Sequence, residues 1–168
     1  DQGRLYGDYC DDMPASDYFE FLISVLSIIN RHVHDDHAVF WNVSYNAKSR
    51  DDYGKIVFSE RNPFTVRETI IWDKGIGFPV ATRGLMSRQS EMIFLMSSGA
   101  KYRTNQGAHE VYWNTWRIRS HGAQDIESHH KACFPVELPE KALLGFSRPG
   151  DVVLDVFGGT GTTMIAAD

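Results

Sequence analysis

Residues 151 to 163 have the sequence Asp151-Val152-Val153-Leu154-Asp155-Val156-Phe157-Gly158-Gly159-Thr160-Gly161-Thr162-Thr163. The apolar run at its start is bounded by a Pro-Gly pair and by glycines, which predicts a strand over residues 151 to 156. The glycines allow positive φ angles and a close approach of a ligand to the backbone, and the threonines suit the start of a helix. In open α/β sheets, ligands bind at the carboxyl ends of parallel strands. The stretch therefore predicts a strand, a glycine turn and a helix that together hold a small ligand.

The turn limits the chemistry of that ligand without fixing it. A dinucleotide-binding loop has the spacing Gly-x-Gly-x-x-Gly, whereas here the glycines stand at positions 158, 159 and 161 and an acid, Asp155, precedes them. A carboxylate at that place suits a ligand with a positive charge or an amino group. An ordinary strand-to-helix turn that binds nothing is the alternative.

The composition indicates one globular domain. The chain has 168 residues, of which 42% are hydrophobic and 23% are charged, which is enough for one sizeable core. Its longest apolar stretch, residues 21 to 29, is interrupted by Ser24 and Ser27 and is shorter than the ~20 residues that a membrane helix needs. The amino-terminal region is acidic and has no basic segment followed by an apolar one, so no secretion signal is expected. Since Cys10 and Cys133 match no metal-binding spacing, we expect a reducing, cytoplasmic location.

The net charge of −5 is distributed unevenly along the chain. Residues 1 to 20 contain six acids and one base, which gives −5, and the remaining 16 acids and 16 bases cancel. Contact with a nucleic acid would therefore require local basic patches. Arg117 with Arg119 is one candidate and Lys101 with Arg103 is another, and a solvated charged face is the alternative for each pair.

Ahead of the glycine turn, the sequence predicts a helix and then three strands. The helix is expected to begin at Asp17, with Ser16 or Asp17 as its cap, and to bury an apolar stripe of Tyr18, Leu22, Val25 and Ile29. Dense β-forming runs predict strands over residues 38 to 45, 67 to 74 and 91 to 96, and residues 46 to 62 are expected to form a loop. The last two strands follow each other without a long helical pattern between them, which predicts an antiparallel pair at a sheet edge.

A cluster of histidines and aspartates follows the predicted helix. It contains His32, His34 and His37 beside Asp35 and Asp36. Because no second cluster has a matching spacing, a polar helix-to-strand turn is favoured over a metal site.

The glycine turn resembles the S-adenosylmethionine loop of DNA methyltransferases that act on exocyclic amino groups. The residues that carry this resemblance are the motif Asp-x-Phe-x-Gly-Thr-Gly-Thr-Thr at 155 to 163 and Phe134-Pro135 ahead of it. They are similar to the permuted branch of that family, in which this loop comes late in the chain. Val156 departs from the pattern, since that branch often has proline there. The order of the predicted helix and strands is also similar to these enzymes over almost the whole chain.

The resemblance implies an α/β fold, a Rossmann-like S-adenosylmethionine-dependent methyltransferase sheet with an antiparallel edge pair, in one domain over residues 1 to 168. It implies that the cofactor is S-adenosylmethionine and that Lys131, Phe134 and Pro135 line its methionine or adenine side. The full set of implied cofactor residues is Lys131, Phe134, Pro135, Asp155, Phe157, Gly158, Gly159, Gly161, Thr162 and Thr163. Cys133 stands in the order Cys-Phe-Pro rather than the Pro-Cys of carbon methylation, so it is interpreted as a small packing residue.

Residues 98 to 130 correspond to the segment in which this family places its variable target-contacting structure. Aromatic side chains there can stack on bases, and arginines can contact phosphates or guanine edges. Plain packing is an equal alternative for Trp113 and Trp116. The DNA-binding candidates are Lys101, Arg103, Trp116, Arg117 and Arg119.

One motif of these enzymes is missing. Amino-group methyltransferases of this type carry Asp/Ser-Pro-Pro-Tyr/Phe/Trp at the end of an apolar strand, where it holds the target amine and stacks on a flipped base. The sequence contains no such motif, so its catalytic residues are not assigned and we expect an inactive, internal fragment of an enzyme that methylates adenine or cytosine in DNA. The expected partners are double-stranded DNA and a second copy of the chain. A non-catalytic DNA- or protein-binding relative and another nucleotide-binding Rossmann protein are the alternatives.

The missing motif also predicts a gap in the sheet. By resemblance, its strand would lie between the glycine-loop strand at 151 to 156 and the strand at 38 to 45. We therefore expect these two strands to remain apart, with exposed edges that favour self-association or a partial rearrangement. Direct pairing of residues 152 to 155 with residues 39 to 43 would contradict this expectation.

Overall fold

The computed structural model describes residues 5–6, 9–10, 13–44, 52–75, 86–105, 109–120 and 133–168, and Lys131 lies outside these ranges. The strands are β1 (Leu5–Tyr6), β2 (Tyr9–Cys10), β3 (Val39–Val43), β4 (Thr65–Asp73), β5 (Ser90–Ser97) and β6 (Thr115–Arg117). The helices are α1 (Ala15–Asn30), α2 (Asp52–Val57), α3 (Glu137–Phe146) and α4 (Thr162–Ala167), with a 3₁₀ turn at His109–Tyr112. Within these ranges, no helix combines the length and the apolar content that crossing a membrane requires.

The main sheet has four strands in the order β3-β5-β4-β6. β5 is antiparallel to both β3 and β4, and β6 is parallel to β4. The predicted antiparallel pair is therefore confirmed. Its predicted place at the sheet edge is wrong for this sheet, because β5 lies between β3 and β4 while β6 covers the other side of β4.

Strand β5 is buried on both faces and separates two hydrophobic clusters. Its side chains alternate, so that Phe94 and Met96 face the cluster under α1 and α2, and Ile93 and Leu95 face the cluster under α3. The first cluster consists of Leu22, Ile23, Leu26, Ile29, Ile56, Val57, Phe64, Phe94 and Met96. The second consists of Ile70, Trp72, Ile93, Leu95, Trp116, Ile118 and Leu138. The predicted α/β architecture is thus present, with helices packed on both faces of the sheet.

Helix α1 begins earlier than predicted. Its first residue is Ala15, and the Pro14 carbonyl accepts the Tyr18 N–H at 2.9 Å in place of a side-chain cap. Leu22 and Ile29 are buried as predicted, whereas Tyr18 is exposed because the buried stripe runs through Leu22, Ile23, Leu26 and Ile29. The polar cluster after α1 forms the turn into β3, where the His37 ring packs against Phe64.

Two further predictions along the chain are wrong. The expected loop at 46 to 62 contains α2, whose Ile56 and Val57 are buried against α1. The expected strand at 151 to 156 is not a strand, because residues 151 to 155 join no ladder with any strand that the structure describes. Val152 is 96% exposed there. The expected separation from β3 is present, since β3 pairs with β5 and not with this segment.

Candidate functional site

The carboxylate of Asp155 holds the glycine turn at both ends. Its Oδ1 accepts the Phe157 N–H at 2.9 Å, and its Oδ2 accepts the Thr163 hydroxyl at 2.6 Å. Thr163 lies in the first turn of α4, so one side chain connects the start of the loop to the helix that follows it. The loop is therefore preorganised by the acid that the sequence singled out.

Two of the loop glycines are required by backbone conformation. Gly159 has a φ of 50° and Gly161 a φ of 81°, in the left-handed region that other residues rarely adopt. Gly161 precedes α4, its N–H donates to the Gly158 carbonyl at 2.7 Å, and its own carbonyl accepts the Met164 N–H at 2.9 Å. The Thr162 and Thr160 hydroxyls lie 3.3 Å apart across this turn.

The second predicted cofactor segment lies against the first. The Cys133 Sγ is 3.3 Å from the Thr160 Oγ1, which brings the Cys-Phe-Pro turn to the glycine loop. Phe134 packs on the cluster under α3, and Pro135 is buried immediately before that helix. Pro139 lies in the first turn of α3, as predicted, where its missing N–H costs no helical hydrogen bond. In the sequence analysis, only the family resemblance related these two segments to each other. No local sequence pattern predicts the contact between Cys133 and Thr160.

Phe157 connects the loop to the body of the domain. Its ring makes edge contacts with Trp41 of β3, at 6.1 Å between ring centroids, and with Phe21 of α1, at 6.4 Å. These contacts lie in the T-shaped geometry that aromatic pairs favour. The loop thus rests on α1 and β3 through one aromatic side chain.

The described residues suit the amino-acid end of S-adenosylmethionine. Each oxygen of Asp155 accepts one internal hydrogen bond and retains capacity for another, and the side chain is exposed. A Cβ placed on Gly158 or Gly159 would come no closer than 3.7 Å to any other atom, so the backbone there is open to approach. An exposed acid beside an open glycine backbone matches a ligand with an ammonium group.

Arg103 joins the start of the segment at 151 to 155 to the turn after α1. Its Nη1 donates to both carboxylate oxygens of Asp151, at 2.8 and 2.6 Å, and its Nη2 and Nε donate to Asp36 Oδ2, at 2.7 and 2.9 Å. We call Arg103, Asp36 and Asp151 the Arg103 clamp. The Arg148 N–H and then the Arg103 guanidinium lower the pKa of Asp151, and the same guanidinium lowers the pKa of Asp36. Both aspartates in turn raise the pKa of Arg103.

The residues around Arg103 also hold the end of helix α3. The Asn105 side-chain amide donates to the Leu144 carbonyl at 2.8 Å and to the Ser147 carbonyl, and its backbone N–H donates to the Gly145 carbonyl at 2.8 Å. The Tyr112 hydroxyl donates to the Gly145 carbonyl as well, at 3.1 Å. Residues 101 to 105, which we call the strap, therefore cap α3 with groups from outside the helix.

The DNA-binding candidates have different environments. Trp116 is 1% exposed, packs in the cluster under α3 and donates its Nε1–H to the Val111 carbonyl at 3.1 Å, so it is a packing residue and that prediction is wrong. Trp113 is 63% exposed instead. Arg103 is engaged in the clamp, whereas Lys101 is exposed on the strap.

Arg117 and Arg119 lie on one exposed row. Burial alternates along the edge strand β6 and its continuation, with Thr115, Arg117 and Arg119 exposed while Trp116 and Ile118 are buried. Arg117 Nε donates to Asp73 Oδ2 at 3.1 Å. The Gly75 N–H and then the Arg117 guanidinium lower the pKa of Asp73. The sequence interpretation left Trp113 open between stacking and packing, and it missed the alternation, although a period of two over residues 115 to 119 separates the buried Trp116 and Ile118 from their exposed neighbours.

The chain is similar in sequence to several Type II methyltransferases. It is 27% identical to Type II methyltransferase M.Cfr9I from Citrobacter freundii over 106 residues, a match that covers 58% of this chain and 34% of that enzyme. It is 25% identical to Type II methyltransferase M.SmaI from Serratia marcescens, over 88% of this chain and 65% of that enzyme. The chain therefore spans about one third of the first relative and 65% of the second.

The fold is similar to that of a solved enzyme. The PvuII DNA methyltransferase, described as cytosine-N4-specific, superposes with a TM-score of 0.75 over 99% of this chain and 67% of that one, at 19% identity. The likeness shows a shared fold. A sequence profile described as DNA methylase matches residues 3 to 168, and the chain therefore belongs to the DNA methylase family, whose cofactor is S-adenosylmethionine.

Proposed function

We propose that the chain forms the cofactor-binding part of an enzyme that transfers a methyl group from S-adenosylmethionine to the exocyclic amino group of adenine or cytosine in DNA. One observation carries this proposal: the Asp155 carboxylate ties the glycine turn to α4, and the Cys133 turn lies against the same loop. Both segments are ones that the family uses for its cofactor, and both have the side chains that this role needs.

The roles of the residues follow from their positions. Asp155 accepts hydrogen bonds from the amino group of the ligand, and the open backbone at Gly158, Gly159 and Gly161 lies along the ligand. Thr163 orients Asp155, and Thr162 begins the helix that closes the turn. Phe157 fixes the loop to the sheet, while Phe134 and Pro135 form the neighbouring wall. Lys131, which lies outside the described residues, is assigned to the cofactor by resemblance alone. The bound cofactor supplies an electrophilic methyl group.

Calorimetric titration with S-adenosylhomocysteine tests the assignment. Asp155→Ala should weaken binding by about tenfold or more, because a charge-assisted hydrogen bond is lost. Glu60→Ala, which removes an exposed carboxylate from another part of the surface, is the matched control. Equal affinity of wild type and Asp155→Ala would remove Asp155 from the site. Binding of NAD instead of S-adenosylhomocysteine would favour the other Rossmann class.

The motif with which this family aligns the target amine for catalysis is absent from the sequence. No Pro-Pro-aromatic motif is present to align a target amine, and alignment is the main requirement of a direct methyl transfer. This polypeptide alone should therefore bind S-adenosylhomocysteine and leave DNA unmethylated. Labelled methyl groups incorporated into mixed-sequence DNA above a no-protein control would contradict this.

The proposed DNA surface is the exposed row of β6 with the aromatic next to it. Arg117, Arg119 and Trp113 are exposed on neighbouring residues, and Lys101 adds a further positive charge on the strap. Arginines bind phosphates and an exposed indole stacks on bases. These residues belong to the segment at 98 to 130, which we assign to target contact within a single domain over residues 1 to 168. The partner is double-stranded DNA in the cytoplasm.

Self-association is the second partner interaction that we propose. The segment at 152 to 156 exposes apolar side chains, among them Val152, Leu154 and Val156, and it lies in no ladder with the described strands. An exposed apolar segment that lies in no ladder with the described strands favours pairing with another chain.

A further inference from the structure

We propose that Arg103 is a positioning residue for the cofactor loop and that the strap at 101 to 105 holds both cofactor segments in place. The inference rests on the proposed cofactor site, but it concerns residues that the cofactor assignment does not include. Four hydrogen bonds from one guanidinium to Asp36 and Asp151 carry it, together with the contacts of Asn105 at the end of α3.

The loop needs such an anchor because its leading segment is not held by a sheet. Residues 151 to 155 join no ladder with the described strands, so strand pairing does not fix where the loop begins. The Asp151 N–H donates to the nearby Arg148 carbonyl, at 3.0 Å. Side-chain contacts hold it on either side: Asp151 lies in the Arg103 clamp, and Phe157, just after the segment, packs against Trp41 and Phe21. The Arg148 N–H also donates to Asp151 Oδ2, at 2.9 Å. This hydrogen bond orients the carboxylate to which Arg103 donates.

The same strap fixes the second segment through helix α3. Asn105 binds carbonyls at the end of α3, and the Cys133-Phe134-Pro135 turn leads into the start of that helix. Two residues of the strap, Arg103 and Asn105, therefore hold the start of the loop and the helix that carries the neighbouring wall.

Arginine is the side chain that this arrangement requires. Its planar fork presents separate N–H edges to two carboxylates, so that each aspartate keeps its own hydrogen bonds. Lysine would keep the charge but provides a single ammonium that cannot face both carboxylates with the same geometry. Arg103→Gln removes the charge and the fork together.

The chain provides a matched control elsewhere. Arg61 makes a bidentate ion pair with Glu20, at 2.6 and 2.8 Å, between α1 and the residues after α2, and neither partner belongs to the strap or to a cofactor segment. Arg61→Gln therefore removes an arginine–carboxylate ion pair, with one carboxylate and at a more exposed place, without touching the strap.

The experiment compares Arg103→Gln, Arg103→Lys and Arg61→Gln with wild type by amide hydrogen exchange, melting temperature and calorimetry with S-adenosylhomocysteine. Arg103→Gln should raise the exchange of the Phe157 and Gly161 amides and weaken ligand binding, each by roughly three- to tenfold, since the pairs are partly exposed. Arg103→Lys should lie between it and wild type. Arg61→Gln should change the melting temperature to a similar extent and leave both other readouts at wild-type values.

The outcomes separate this inference from the proposed function. Loop exchange in Arg103→Gln equal to that in Arg61→Gln would overturn the positioning role, whether or not the ligand binds. Altered loop exchange without any binding of S-adenosylhomocysteine by wild type would support the positioning role and refute the cofactor assignment.

Discussion

Trp113 and Trp116 are three residues apart and have opposite environments, and this difference predicts opposite effects of mutation. Trp113→Ala should weaken binding of the chain to duplex DNA about tenfold or more while leaving its stability nearly unchanged, because an exposed indole is lost. Trp116→Ala should lower the free energy of unfolding by about 3–5 kcal/mol, because it empties a buried site. Fluorescence anisotropy of labelled DNA and urea unfolding measure the two effects.

The control for Trp113 is Tyr18→Ala, which removes an exposed aromatic side chain from α1. Unchanged DNA affinity in Trp113→Ala, with loss in Tyr18→Ala, would place the DNA surface on the opposite side of the sheet.

Acid should release the Arg103 clamp. The pKa values of Asp36 and Asp151 are lowered in the folded chain, whereas an unfolded aspartate has a pKa of about 3.9. Their contribution to stability is therefore fully present above that value and is lost as the pH falls through the folded pKa values. The difference in urea midpoint between wild type and Arg103→Gln should stay constant from about pH 7 to about pH 5 and shrink below about pH 4. A difference that widens in acid would show that other groups hold the segment.

Single residues of the site could be predicted as far as a local pattern extends. Asp155 and the glycines were identified because their order in the sequence is also the order of the turn, and the structure places them in one hydrogen-bonded loop. The sequence analysis proposed Arg103 as a DNA-binding residue and did not foresee its ion pairs, because its partners Asp36 and Asp151 are 67 and 48 residues away in the sequence. No spacing rule reaches that far, so the ion pairs could be seen only in three dimensions.

Helix α3 packs so closely on the 3₁₀ turn that one added methyl group is expected to lower the free energy of unfolding. A Cβ at Gly145 would lie 2.7 Å from Val111 Cγ2, which is closer than such contacts occur. Gly145→Ala should therefore destabilise the domain by about 1–3 kcal/mol in urea unfolding, through overpacking. Val111→Ala combined with it should restore part of the loss.

The control for this prediction is Gly54→Ala in helix α2. A Cβ there meets nothing within 4 Å, and alanine is the better helix former by up to about 1 kcal/mol. Gly54→Ala should thus be neutral or stabilising. Destabilisation of equal size at both positions would mean that the Val111 contact does not determine the effect.

Helices and strands were predicted well where a pattern in their own sequence indicates them. They were predicted poorly where their formation depends on packing or pairing with another element. β5 has the apolar run of a strand buried on both faces, and α3 has its proline in the first turn. Helix α2 was missed because its six residues contain a glycine and follow a polar stretch, whereas its stability comes from tertiary contacts, among them the burial of Ile56 and Val57. Residues 151 to 155 have the composition of a strand, but a strand also needs a partner to pair with.

For the whole molecule, the exposed segment at 152 to 156 predicts self-association. Wild type should sediment above the monomer mass, with a weight that rises with concentration, because apolar side chains and free backbone groups favour pairing between chains. Val152→Lys combined with Leu154→Lys should restore the monomer, since charge on such a segment opposes pairing.

Met86→Lys is the control for this double variant, because Met86 is 89% exposed and lies outside the segment. Sedimentation of wild type as a monomer at every concentration would refute the proposal. Loss of association in Met86→Lys would show that the interface lies on another surface, the one that includes Met86.

The arrangement of the whole chain was predicted from the order of its motifs more than from any one of them. The α/β class, the antiparallel pairing of β4 with β5 and the separation of β3 from the glycine-loop segment are all present. The position of that pair within the sheet was not predicted, because the short strand β6 has too few residues to be recognised in the sequence.

The capping of helix α3 by Asn105 has a consequence for the order in which the chain folds. The amide of Asn105 and the carbonyl of Leu144 are 39 residues apart, so the contact forms only after a long loop has closed, at an entropic cost. A helix of ten residues is too short to persist alone in water, so the stability of α3 depends on tertiary contacts such as those with the strap. The strap in turn depends on the turn that carries Asp36. Because the glycine loop is attached to both, we expect it to become ordered after them, and a ligand bound there would then stabilise a late step of folding.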